Sequence, residues 1–146
     1  MELKLEVIVL PVSDVDRTKA FYQRLDYRLD ADLVVDEGYR IVQLTPPAST
    51  ASIIFGTGVT TAPAGSVRGI LVAVPDIEAA RAEIAERGVE VSEVFHEADP
   101  FVRAGVEHRI PGAHPERASY SSFATFSDPD GNEWLLQEIT DRLPGR

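Results

Sequence analysis

Apolar and polar positions along this chain fall into one pattern that occurs twice. Residues 7–12 (VIVLPV) are apolar at both parities, as in a strand covered on both faces, and are followed by a polar break at Ser13 and Asp14 and then a helix. The stretch from Gly69 to Val91 repeats residues 7–29 without a gap at an offset of 62: Ile8 falls on Ile70, Val12 on Val74, Asp14 on Asp76 and Ala20 on Ala82. Ser13 or Asp14, and Asp76 in the second copy, are placed as helix N-caps, with Asp16 adding favourable charge to the first turn. Gly88 ends the second helix as a left-handed residue, and Asp26 stands in the matching place after the first.

Three strands are expected after each helix, at 27–35, 39–45 and 51–56 and again at 89–96, 119–127 and 133–139. The segment DEG (36–38) makes a turn in the first half, and DPDG (128–131) has the residue types of a turn before the last strand. Its counterpart TPPAST (45–50) aligns with it at an offset of 82. Residues 58–65 read as a linker between a first module at about 5–57 and a second at about 66–140. The expected fold class is therefore α+β, with strand, helix and three strands in each half of one domain.

Composition narrows the function. At 146 residues and 44% hydrophobic content the chain has enough apolar surface for a core. A formal net charge of −10 and scattered basic residues argue against nucleic acid and against an anionic membrane surface. There is neither an apolar run long enough to span a membrane nor a signal-peptide pattern. The absence of cysteine excludes disulfides and thiolate metal sites and fits a cytoplasmic protein.

With VSDVDRTKAFY early and FSDPDGNEWLLQE late, on either side of the repeat, the chain resembles the vicinal oxygen chelate superfamily of glyoxalase I, extradiol dioxygenases, fosfomycin-resistance enzymes and bleomycin-resistance proteins. The resemblance runs from about residue 5 to 140 and implies two βαβββ modules whose eight strands form a cupped mixed sheet, helices outside and ligand inside, commonly in a homodimer. Metal-dependent members take ligands from the first and fourth strands of each module. Those positions map onto Val7, Ile53, Gly69 and Leu135, none of which has a lone pair to offer from its side chain. No metal or other cofactor is expected.

Alternation from those positions lines the cup with Val7, Val9, Ile53, Phe55, Gly69, Leu71, Leu135 and Gln137, with Glu133 near the mouth and Trp134 and Leu136 turned toward a helix. Apolar walls with one or two polar groups suit a small organic ligand, although the same side chains would also fill a closed core. The segment 96–120 holds all three histidines, and its length suits a lid or binding loop. His96 and His108 are its candidate acid–base groups, and His114 shares their polar setting. Arg103, Arg109 and Arg117 suit either an anionic ligand or the neutralisation of nearby acids. The leading expectation is a metal-independent protein holding a partly apolar small molecule. The alternatives are a metal-dependent lyase or dioxygenase with ligands displaced to Glu6, His96, Gln137 or Glu138, and a metal-free isomerase or lyase using His96 or His108.

Overall fold

The computed structural model describes residues 1–146 as two compact units. The first comprises 1–68 together with the turn 128–132, and the second comprises 69–127 and 133–146. The strands hydrogen-bond as two separate mixed sheets, one in each half of the chain.

In the first unit the elements are β1 (Val7–Val9), α1 (Val15–Arg24), β2 (Arg28–Asp36), β3 (Tyr39–Thr45) and β4 (Ser52–Thr57). The sheet order is β1-β4-β3-β2, with β1 and β4 parallel and the other pairs antiparallel. Asp14 starts α1 by accepting the Arg17 N–H at 3.0 Å, and the helix ends before Asp26, whose φ of 61° is the left-handed conformation expected there. Thr18, Phe21 and Tyr22 form the buried side of α1. Cross-strand partners share a face, so Val42 beside Phe55 and Leu44 beside Ile53 make one apolar layer. All four are at most 1% exposed, and the Tyr22 and Phe55 rings, 6.1 Å apart, place that layer under α1.

The DPDG turn is held to this unit by buried polar contacts. Asp128 Oδ1 accepts the backbone N–H groups of Asp130, Gly131 and Asn132 at 3.0, 3.0 and 2.9 Å. Asn132 Nδ2 donates to the Pro11 carbonyl at 3.0 Å, and its Oδ1 accepts the Val67 N–H at 3.1 Å. Asn132 is fully buried with each of these groups satisfied, which is the condition for burying an amide at low cost.

The second unit repeats the plan with one extra strand: β5 (Ile70–Val74), α2 (Ile77–Glu86), β6 (Phe95–His96), β7 (Ile110–Pro111), β8 (Ser122–Ser127) and β9 (Glu133–Glu138). Its order is β5-β9-β8-β6-β7, with β5 and β9 parallel. Asp76 caps α2 by accepting from Glu78 N and Ala79 N, both at 3.0 Å, and Gly88 follows with φ 75°. The strand expected at 89–96 is shorter than its pattern. Ser92 Oγ takes the Thr125 N–H at 2.9 Å, so a side chain occupies a ladder position there, and apart from the single bridge between Val91 and Phe126 only Phe95 and His96 pair regularly. The strand expected from 119 begins at 122 because Arg117 and Tyr120 have positive φ, 51° and 72°, which an extended strand does not accept.

Candidate functional site

Each sheet has one face under its helix and one turned away, and the residues turned away form the candidate site. In the second unit the helix side is marked by Glu138, whose carboxylate accepts the Ile77 N–H at the start of α2 at 2.9 Å. Alternation puts Trp134 and Leu136 on that side too, and Trp134 stacks on Phe126 at 5.9 Å. The other side carries Leu71 and Ala73, then Leu135 and Gln137, then Phe123 and Thr125, then Phe95. Leu71, Leu135 and Gln137 thus share one face, whereas Gly69 precedes β5 with a φ of 73° and is not aligned by strand alternation.

Phe95 and Phe123 stack at 5.5 Å and form an apolar cluster with Leu135, against which Val102 packs. The cluster is buried, whereas Leu71 beside it is 45% exposed. Gln137 is 1% exposed and donates Nε2 to the Tyr120 carbonyl at 2.9 Å, so its amide is already oriented. Phe95 and Phe123 are absent from the lining expected from sequence. They are traceable there once the cross-strand partners of Gln137 and Phe123 are known, since those positions alternate in step with Leu135.

In the first unit the expected lining divides between the two faces. Val7 pairs with Ser52 and Val9 with Ile54, whereas Ile53 pairs with Ile8. Val7 and Val9 therefore face away from α1, and Ile53 and Phe55 belong to the core beneath it. The residue equivalent to Leu135 is Ile54, one along from Ile53, because the turns aligned at residues 45–50 and 128–131 differ in length relative to the strands they join. The same face holds a polar group that sequence patterning misses. Thr45 Oγ1 bonds Asp30 and lies 2.7 Å from Ser52 Oγ, Gln43 Nε2 donates to Ser52 Oγ at 3.3 Å, and Arg28 Nε donates to Asp30 at 2.6 Å. Asp30 stands at a register shift between Leu29 and Ala31, a bulge that re-aims its side chain toward Thr45. The Thr45 hydroxyl, and then Arg28, hold the Asp30 carboxyl below the usual carboxylate range, so it is a charged acceptor rather than an acid.

The histidines do not reach the apolar face of the second unit. His96 pairs with Ser122 on the α2 side of the sheet, its Nδ1 is 2.8 Å from the Gly112 carbonyl, and its ring meets His114 edge-on at 5.6 Å. Alternation from Phe95 turns His96 away from the face on which a displaced metal ligand would have to stand. His114 Nδ1 accepts the Glu116 N–H at 3.2 Å, and His108 is exposed, 3.9 Å from Glu107.

A profile of the Glyoxalase/Bleomycin resistance protein/Dioxygenase superfamily matches residues 4–136. The chain belongs to this superfamily. No curated protein sequence matches it significantly. Among solved structures, it is similar to TnmS3, an antibiotic binding protein from Streptomyces sp. CB03234, at 29% identity and a TM-score of 0.68 over 94% of this chain and 97% of that one. It is also similar to a glyoxalase/bleomycin resistance protein from the same organism, at 30% identity and a TM-score of 0.65 over 92% and 99%. A superfamily member from Sphaerobacter thermophilus DSM 20745 shares the fold, with a TM-score of 0.67 over 94% and 98% at 23% identity.

Metal-dependent members of the glyoxalase superfamily require nitrogen or oxygen donors that this chain does not bring together. With the register corrected, the four matched positions are Val7, Ile54, Gly69 and Leu135, again without a donor. The displaced candidates fare no better. His96 faces α2, Gln137 is bound to a carbonyl, and Glu138 is occupied by Arg117 and the Ile77 N–H. No group of three His, Asp or Glu side chains is placed to hold a metal ion, the carboxylates of Asp76, Glu78 and Glu138 being gathered around Arg117.

Proposed function

We propose that this glyoxalase-superfamily chain binds a small, partly apolar organic molecule without a metal, on the sheet face of the second unit turned away from α2. The observation that carries this reading is the composition of that face: Phe95, Phe123 and Leu135 supply an apolar floor beside the exposed Leu71, and Gln137 supplies one oriented amide. At the positions where metal-dependent relatives place ligands, Val7, Ile54, Gly69 and Leu135 offer no side-chain donor. Similarity to an antibiotic binding protein over nearly the whole length supports the same class of ligand, a molecule of antibiotic size sequestered rather than transformed.

We also read the chain as a cytoplasmic homodimer. Strand β2 is an edge strand on which Leu33, Val34 and Val35 are 58%, 70% and 64% exposed, an apolar edge of the kind a second copy would cover. Sedimentation at micromolar concentration is expected to give a dimer, and a monomer would contradict this part.

The binding reading is tested by native mass spectrometry of untagged protein beside metal analysis of the same sample. An organic adduct with substoichiometric metal supports it. About one tightly held metal per chain overturns it.

A further inference from the structure

Three arginines lie between β6 and β8, and two of them are neutralised by the protein itself. Arg103 pairs with Asp99 at 2.7 Å and lies 4.0 Å from Glu97. Arg117 is surrounded by Glu138, by Glu78 at 3.0 Å and by Asp76 at 3.4 Å. Arg109 differs from both. It pairs with no carboxylate, its Nε is buried without a hydrogen-bond partner, and its guanidinium carbon lies 4.2 Å from the centre of the Phe95 ring. Acceptors are abundant in a chain with 24 acidic residues, so the unsatisfied buried N–H is a feature to be explained.

Backbone geometry fixes where this group sits. Arg109 immediately precedes β7, in which Pro111 pairs with Phe95 and Ile110 with His96. Alternation then puts Arg109 on the side of Phe95, the apolar side, and not on that of His96. The guanidinium therefore borders the Phe95, Phe123 and Leu135 cluster, which continues across the sheet to Leu71.

We propose that Arg109 is the anion-recognition element of this face, and that the ligand class is an aromatic molecule bearing a carboxylate, sulfonate or phenolate. The anionic oxygens accept from the terminal guanidinium N–H groups, while the aromatic body lies against the apolar cluster. The two halves of the site select together: the cluster favours hydrocarbon, and the guanidinium, which has no carboxylate partner, favours an anion. This inference rests on the reading that this face is the ligand site.

The test titrates the intact protein with 8-anilinonaphthalene-1-sulfonate and with N-phenyl-1-naphthylamine, which has the same ring system without the sulfonate. Wild type is expected to bind the sulfonate about tenfold or more tightly than the neutral probe, the ratio one charge-assisted hydrogen-bonded contact supplies. Arg109→Gln should reduce that ratio to about one with the thermal midpoint retained. Arg109→Met serves the same purpose if the glutamine variant does not fold. A ratio unchanged by both substitutions, or a ratio near one in wild type that still binds the neutral probe, overturns the role of Arg109 and leaves the apolar site standing. Failure of wild type to bind either probe overturns the binding reading and this inference with it.

Discussion

Tyr22 on α1 and Phe55 on β4 face each other, their rings 6.1 Å apart and tilted by 37°. Phe55 thus belongs to the layer that holds α1 to its sheet, and truncating it should be a stability defect rather than a binding defect. Phe55→Ala is expected to cost about 3–5 kcal/mol, the range for a large side chain removed from a packed core. Urea unfolding measures it, and a cost below about 1 kcal/mol, or a selective loss of ligand, would contradict the placement.

Occlusion of the face turned away from α2 separates a site from a filled core. Ala73 is exposed, lies on the same side as Leu71 and Leu135, and pairs with Gln137. Ala73→Phe should lower occupancy by N-phenyl-1-naphthylamine about tenfold while changing stability by less than about 1 kcal/mol. Gly69 is the poorer choice despite open space around it, because its φ of 73° would add backbone strain of about 1–3 kcal/mol to any side chain. A large stability loss in Ala73→Phe with unchanged occupancy would mean that the face is only core.

Glu138 joins the start of α2 to the last strand. Its side chain is 1% exposed and accepts from Arg117 and from the Ile77 N–H at 2.9 Å. The Arg117 hydrogen bonds, followed by the Ile77 N–H, hold its carboxyl below the usual glutamate range. A carboxyl lowered on folding adds stability that is complete above its unfolded pKa, about 4.3, and is lost as pH falls through the folded value. Glu138→Gln should therefore cost about 2 kcal/mol at pH 7, with the gap to wild type narrowing below about pH 4.3. A gap that stays constant or widens on acidification would count against the ion pair.

Metal chemistry makes an equally direct expectation. Untagged protein should carry substoichiometric zinc, nickel, manganese and iron, and chelation should leave its thermal midpoint unchanged. Near-stoichiometric metal resistant to mild chelation would require ligands other than those considered above.

The sequence made some of this legible and hid the rest for physical reasons. The repeat exposed the paired strand and helix units because Asp14 and Asp76 cap equivalent helices and Asp26 and Gly88 take equivalent left-handed positions. Parity held in the second unit, where Leu71 and Leu135 are direct partners. It failed by one residue at Ile53 because turn length, unlike strand alternation, is free to vary between repeats, and a shift of one inverts a strand. The orientation of His96 was not legible for a related reason: the apolar pattern of 89–96 cannot show that Ser92 interrupts the ladder and that pairing resumes only at Phe95. Arg109 was visible as a charge, but its lack of an acid partner depends on where Asp99, Glu97 and Glu138 direct their carboxylates.

The central claim is most directly tested by methyl NMR on protein labelled at leucine and alanine, titrated with N-phenyl-1-naphthylamine in the presence of EDTA. Leu71, Ala73 and Leu135, on the face turned away from α2, should shift and saturate together, while Leu136 on the opposite face of β9 and Leu44 beneath α1 stay in place. Shifts confined to Leu136 or Leu44, or no shifts until a divalent metal is restored, would contradict it.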